Sequence, residues 1–505
     1  MFVRKIKHAN GKIYIQVIEK LQGKYIVKKS FGSANTTQEL KSLICKADKW
    51  IKNSKGIQEF DFNNERELFK LALSSITSHK LVGIDLVLGK IFDDIGFNRI
   101  DDELFRDLVL YRLVYPKSKL KTAEYLLRYA QKNYSEDEIY RYMDKLRNIR
   151  QELVQRISYE HTLKILPNGI QVVFYDVTTI YFETDYEDDL RKPGFSKEGR
   201  HQNPQIVLGL LVSEGGYPLA YDIFEGKQYE GHTMMPIING FKEKFNLEKL
   251  VVVADSGLLS KDNINELISN NYEFILGARI KNENQDIKDE IMALSLKNGE
   301  SKVINKDGLK LIIAYSDDRA KKDQYNREKG IKRLNKSLKS GKLTKSSINN
   351  RGYNKFLEMD GEINLKINTE KIKADEKWDG LKGYITNSNL NKKEVIANYR
   401  QLWLIEKAFR IAKTDLKIRP IFHYKQRRIE AHICLNFVAY KVYKELERQL
   451  KVKRANFSPE KVIEIIQSIF EIEITTPSSR EIIKKVLLLT EEQKQISKIF
   501  EFNQI

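Results

Sequence analysis

Three acids stand where a carboxylate could do chemistry. Asp176 closes the apolar run VVFYD, Asp255 closes VVVAD, and Glu406 lies within NYRQLWLIEKAFRIAK, residues 398–413. A carboxylate placed where a buried strand emerges is held rigidly at a sheet edge, where ligands bind in α/β folds. Read singly, each aspartate is by default a cap for the turn or helix that follows. Read with Glu406, the set says more. At about 100° per residue along a helix, Tyr399, Glu406, Arg410 and Lys413 share one sector. Leu402, Ile405, Phe409, Ala412 and Leu416 form the adjoining apolar stripe. If that stripe lies on the sheet, Glu406 reaches the edge where the aspartates emerge. Three carboxylates there repel one another unless a cation sits between them, and hard oxygen donors with open positions suit Mg²⁺. Two such ions about 4 Å apart activate the attacking oxygen and stabilise the leaving one in phosphoryl transfer. Tyr399, Arg410 and Lys413 would then face a phosphate backbone.

The rest of the chain agrees with a polyanionic partner. Its 505 residues carry a formal net charge of +19 and a pI of about 9.4. Nucleic acid is the first candidate for so basic a chain. Two distant cysteines, Cys45 and Cys434, exclude a disulfide framework and a Cys-rich zinc site and fit a reducing cytoplasm. No H-x-x-x-H spacing occurs, and no G-x-x-x-x-G-K-[ST] loop supports an ATP-driven enzyme. The N-terminus lacks the apolar core of a signal peptide, and no run of 18 apolar residues occurs. The expectation is a cytoplasmic, nucleoid-associated protein with no membrane partner.

The elements that must position the acids follow from the patterning. Residues 1–165 read as a β-hairpin and helix, through about residue 55, followed by further helices; Asp101 or Asp102 is a plausible helix cap. This region suits DNA-end binding or dimerisation. From 169 the texture changes to short β-rich runs: IQVVFYDVTT, QIVLGLLVSE, YPLAYDIFEG, LVVVADSG and YEFILGA. SEGGYP predicts a tight hairpin between the second and third. Helical segments lead into the fourth and fifth. Together they predict an α/β domain over 169–450 with a mixed sheet. Residues 281–379 break the pattern and read as a basic, partly β insertion. Its segment 319–355 holds thirteen Lys or Arg against two acids, an excess of eleven out of the chain's nineteen. NKKEVIANYRQLWLIEKAFRIAKTDL reads as one long helix and KQRRIEAHICLNFVAYKVYKELERQL as another. Residues 451–505 read as a short helical tail.

With these pieces in order, the chain resembles the DDE transposases of bacterial insertion sequences, in the branch with a Tyr-Arg-Glu-Lys signature, Y-x2-R-x3-E-x6-K. Tyr399, Glu406 and Lys413 match it in residue and spacing. The Arg position holds Leu402, and Arg400 stands two residues earlier. FYDVTTIYFET resembles the first-Asp segment and VVVADSGLLS the second. YSDDRAKKDQYNRE and RPIFHYKQRRIEAHICLNFVAY resemble the subgroup with a large insertion before the glutamate. The resemblance spans about residues 80–450. It implies an RNase H-like fold and Mg²⁺ or Mn²⁺, in two ions, held by Asp176, Asp255 and Glu406. It also implies DNA binding by Tyr399, Arg400, Arg410 and Lys413, cleavage at transposon ends, and attack of the freed 3′-OH on target DNA. The implied partners are double-stranded DNA, as end repeats and target, and further copies of the chain in a homodimer or larger synaptic complex.

Weaker sites have bland readings beside sharp ones. His232 stands near the active site or in a plain loop. The basic loop 191–203 grips DNA or is simply solvated. His423 and His432 read as structural, Arg427 and Arg428 as weak phosphate contacts. Two competing functions stay open: an RNase H-like nuclease or resolvase that cuts without joining, and a domesticated, non-catalytic DNA-binding protein.

Overall fold

The computed structural model describes residues 1–8, 11–55, 65–146, 149–196, 199, 202–247, 250–349, 352–360, 364–476 and 480–502. The chain forms two compact units, Met1–Ser78 with Glu473–Lys484 and His79–Ile472 with Lys485–Ile505.

In the first unit, strands Phe2–Lys7, Ile13–Leu21 and Lys24–Ala34 pair antiparallel in that order. Helix Thr37–Ser54 follows, started by a capping box between Thr36 and Glu39. Ile15, Val17, Ala47 and Ile51 make the small core. The sequence predicts a two-stranded hairpin here. The extra strand, FVRKIK, is largely exposed and carries no apolar run to announce it. The N-terminal region therefore holds helices and a small sheet, three-stranded where a two-stranded hairpin is expected.

After the short helix Lys90–Ile95, the second unit runs through four helices: Glu103–Val114, Lys119–Ala130, Glu136–Lys145 and Ile149–Ile165. Asp102 caps the first, accepting from the Phe105 amide at 3.0 Å. An eight-stranded sheet follows. Its strands are β1 (Val172–Tyr181), β2 (Gln205–Ser213), β3 (Pro218–Glu225), β4 (Val251–Ala254), β5 (Glu273–Ala278), β6 (Ser301–Lys306), β7 (Leu309–Tyr315) and β8 (Leu381–Thr386). Their order is β6-β7-β8-β5-β4-β1-β2-β3. β1, β2 and β3 form an antiparallel meander, whereas β4 and β5 run parallel to β1. A three-stranded meander extended by two parallel strands is the RNase H-like arrangement that the resemblance implies. All nine residues of β2 are buried, because helices cover both faces. Gly215 and Gly216, both at φ 78°, make the β2–β3 turn at no steric cost.

The one long helix expected over 391–416 is two: α1 (Lys392–Arg400) and α2 (Trp403–Thr414). Between them the amides of Gln401, Leu402, Leu404 and Ile405 bond three residues back. This tighter 3₁₀-type turn redirects the chain without any Gly or Pro. A third helix, α3 (Gln426–Val452), is buried along most of its length and packs on β3 and on helix Glu103–Val114. Two further differences stand out. Strands β6 and β7 lie within the expected insertion, 281–379, yet they are hydrogen-bonded into the main sheet beside β8. The expected helical tail holds helices Pro459–Ile466 and Glu491–Phe500, and also strands Phe470–Thr475 and Ile482–Leu487. Among the described residues, no helix is long and apolar enough to cross a membrane.

Candidate active site

The placement of the two aspartates begins with register. β1 and β4 are parallel, with Tyr175 opposite Ala254. Asp176 and Asp255 are each the next residue, so they come out level with one another. β4 stops at Ala254, while β1 runs on to Tyr181 against β2. Asp176 is therefore not at the end of its strand, as the sequence suggests, but at the point where its parallel neighbour ends. Strand alternation puts Asp176 on the face of Val172 and Phe174, and Asp255 on that of Val253. These apolar residues share one core with Leu402, Ile405, Ala408 and Phe409. The stripe of α2 thus packs on the sheet face that bears the aspartates.

Asp176, Asp255 and Glu406 line a single cavity of about 560 Å³. Asp176 is half-buried, and its Oδ1 accepts from the Val177 amide at 2.8 Å. Asp255 and Glu406 are exposed. The capping reading of Asp255 is not realised, since its side chain makes no cap bond to the short helical turn after it. Its Oδ1 accepts instead from the Tyr399 hydroxyl at 2.8 Å. The Glu406 side chain has no hydrogen-bond or ion-pair partner among the described residues.

Tyr399 differs from its expected role. It is 5% exposed, too enclosed to face a phosphate backbone. Its ring meets that of Tyr384 edge-on at 4.9 Å, and its hydroxyl holds Asp255. Burial and the Asp255 charge keep its phenol well above the ordinary tyrosine range, so it stays a donor. Gly277 makes this possible, because a Cβ there would collide with the Tyr399 hydroxyl.

Arg400 is exposed and lines the acid cavity. It is the last residue of α1, just before the turn. Leu402, at the signature's Arg position, is buried. Arg410 is exposed and Lys413 half-buried on α2; neither lines this cavity.

Sequence reasoning missed Lys382. It lines the cavity from β8, with Nζ 4.3 Å from the Tyr399 ring centre. Burial lowers its pKa and Arg319 lowers it further, while Asp255 and Glu406 pull it back up. The available signal was a lysine inside an otherwise apolar strand, LKGYIT, on the same face as Tyr384. A second cavity of about 710 Å³ shares Asp255, Lys382 and Tyr399 with the first and is lined by Arg279, Arg319 and Arg327. Arg319 and Arg327 belong to the insertion helix Asp317–Lys339.

The weaker candidates lie elsewhere. His232 is exposed and does not line the acid cavity. Arg191 is 1% exposed, paired with Asp188 and ringed by Phe182, Tyr186 and Tyr424, so it is a packing residue and not a DNA grip. Lys197, Glu198, Arg200 and His201 of the same loop lie outside the described residues. Arg427 and Arg428 are bound to Asp144, at 2.9 and 2.7 Å, which removes them as ready phosphate contacts.

The donor chemistry of the cavity, three carboxylates and no thiol or imidazole, fits a hard divalent cation. Among the described residues no group of three His, Cys, Asp or Glu side chains is placed to hold a metal ion. The acids therefore share a cavity wall without closing a cage.

Sheet order and acid-lined cavity together define an RNase H-like domain. Residues 167–441, more than half of the chain, match the Transposase DDE domain family, and the chain belongs to that family. Among solved structures it is similar to the piggyBac transposase synaptic complex with hairpin DNA. Identity there is 9%, with a TM-score of 0.40, over 81% of this chain and 80% of that one. A Mos1 transposase paired-end complex with the left transposon end is similar over 31% of this chain and 53% of that one. There the identity is 13% and the TM-score 0.16. No curated protein matches the sequence.

Proposed function

We propose that this chain is a DNA transposase that cleaves at transposon ends and joins the freed 3′-OH to target DNA, with Asp176, Asp255 and Glu406 as its metal-holding carboxylates. The observation that carries this reading is the level emergence of Asp176 and Asp255 on adjacent parallel strands, with Glu406 on the same cavity. Mg²⁺ or Mn²⁺, as a pair when bound, supplies Lewis acidity to the attacking and leaving oxygens.

The chain's own residues do the positioning. Tyr399 fixes the rotamer of Asp255. Lys382 and Arg400 present positive charge at the cavity wall, where a phosphodiester is drawn in and oriented. Arg410 and Lys413 extend that charge along α2. The basic insertion holds the backbone of duplex DNA without reading sequence. Residues 1–165 bind the end repeats or join copies of the chain in a homodimer or larger synaptic complex. The Tyr-Arg-Glu-Lys branch of the bacterial insertion-sequence enzymes is the family member this arrangement suits best.

The test is Asp255→Asn on supercoiled DNA carrying transposon ends. Asn still accepts the Tyr399 hydroxyl, so the fold and end binding survive while strand cleavage is lost. A variant that cleaves normally removes Asp255 from the site. Strand breaks without joined products in the wild type would make the protein a nuclease instead.

A further inference from the structure

A third cavity, of about 600 Å³, meets the acid cavity at Arg400, which lines both. Its walls come from α1, from the sheet's edge strand β6 and from the end of β7. α1 supplies Lys393, Ile396, Ala397 and Arg400, spaced i, i+3, i+4 and i+7, so one face of the helix lines it. Val395 and Tyr399, on another face of α1, are buried. β6 adds Lys302. Lys392 donates to the Ser301 carbonyl at 2.8 Å and so ties the start of α1 to the start of β6.

The lining holds four cations, Lys302, Lys392, Lys393 and Arg400, against one acid, Glu300. Glu300 accepts from the Lys297 amide at 2.9 Å. Lys302, Lys393 and Arg400 are exposed, and their side chains have no ion-pair or hydrogen-bond partner among the described residues. Several cations of the 710 Å³ cavity are already committed: Arg327 to Asp379, and Lys281 and Lys355 both to Asp375. Exposed like charges lining one groove without counter-charge attract a polyanion, and a phosphodiester backbone that meets them releases its counterions. Ile396 and Ala397 stand between Lys393 and Arg400 with neither charge nor length to hold a strand off the wall. Lys393 and Arg400 are about 10 Å apart along the helix. That spans about three phosphates of one strand, at about 3.4 Å of duplex axis each.

We infer that this groove carries the backbone of one DNA strand away from the cut. Arg400 meets the phosphate nearest the acids, and Lys393 and Lys302 meet the backbone about three nucleotides further along. The strand is held by charge, so no base is read there. Such a path rests on the proposed function, in which the acid cavity is where DNA is cut. Lys302 and Lys393 do not line that cavity, so their contribution can be measured apart from cleavage.

The test measures binding of the full chain to a random-sequence duplex by fluorescence anisotropy across a range of salt. Lys393→Ala and Lys302→Ala should each reduce the salt slope by about 0.9, and the double variant by about twice that. Lys393→Arg should keep the wild-type slope. Both lysines are exposed, so thermal midpoints should stay at wild type. Lys498, exposed on helix Glu491–Phe500 and outside the groove, is the control, and Lys498→Ala should leave the slope unchanged. Unmoved slopes in both groove variants, or an equal fall in Lys498→Ala, overturn the inference. Position along the DNA is read on supercoiled DNA carrying transposon ends, with an iron–EDTA group coupled to Lys393→Cys in a Cys45→Ser background. It should break a strand about three nucleotides from the protein's own cut, and breaks scattered along the duplex would place the groove elsewhere. A wild type that binds through Lys302 and Lys393 yet never cuts removes the transposase and leaves a DNA groove. A wild type that cuts, with both slopes unmoved, removes the groove and leaves the transposase.

Discussion

Replacing Tyr399 by phenylalanine removes one oxygen and leaves the ring packed against Tyr384 and beneath Lys382. What is lost is a 2.8 Å hydrogen bond to Asp255. A hydrogen bond to a charged partner is worth about 1.5–3 kcal/mol, or about 10- to 150-fold in an equilibrium. Asp255 is exposed, so water replaces the phenol and the fold loses little. The loss falls instead on the orientation of the carboxylate. Groups that orient metal-holding side chains are worth about 10- to 100-fold in metal affinity. The expected result for Tyr399→Phe is therefore a half-maximal Mn²⁺ or Mg²⁺ concentration about 10- to 100-fold higher, with a thermal midpoint near wild type. It should be read by calorimetric Mn²⁺ titration and by strand cleavage against metal concentration. The phenol stays protonated across the working pH range, so the defect should not vary with pH. A variant with wild-type metal affinity would refute the orienting role, and a collapsed midpoint would make Tyr399 a packing residue only.

Three other outcomes follow from the same geometry. Arg327 is buried and donates through its two terminal guanidinium nitrogens to Asp379, at 2.6 and 2.7 Å. Arg327→Ala should cost about 3–5 kcal/mol, seen as a lower denaturation midpoint, and Arg327→Lys should recover only part of it. His161 is buried with Nδ1 unpartnered, and burial lowers its pKa to about 4. The unfolded chain therefore binds more protons between about pH 4 and 6.5, and the stability His161 contributes is present above 6.5 and lost as pH falls toward 4. His161→Gln should flatten that slope in denaturation curves taken across the range. Arg400→Ala should lower DNA affinity most at low salt and reduce the salt slope by about 0.9 if Arg400 meets one phosphate; an unchanged slope would mean it touches none.

Much of the sheet was legible in the sequence because buried strands leave apolar runs. VVFYD, QIVLGLLVS and VVVA fall in β1, β2 and β4, and SEGGYP makes the expected turn. The convergence of Asp176, Asp255 and Glu406 on one cavity was also readable, since period two along the strands and 3.6 along the helix fix which faces meet. What stayed hidden depends on neighbours that one-dimensional pattern does not carry. The turn at Gln401–Leu402 has no Gly or Pro to mark it, so one helix is expected where there are two. Lys382 belongs to the site only because β8 lies next to β5. Strands β6 and β7 lie in the polar, lysine-rich stretch 281–379 and so read as part of a separate insertion. Of the tail strands, half-buried or exposed, IIKKVL carries no alternation, whereas FEIEIT alternates strictly and is legible as a strand that the helical reading of the tail passes over.

The pairing of β7 with β8 bears on any attempt to trim this protein. Excising residues 281–379 as a self-contained graft would strip β8 of a partner along six residues, Leu381–Thr386. The bared backbone would be an open template for a second chain, and a minimised enzyme of that kind should precipitate before its chemistry could be measured.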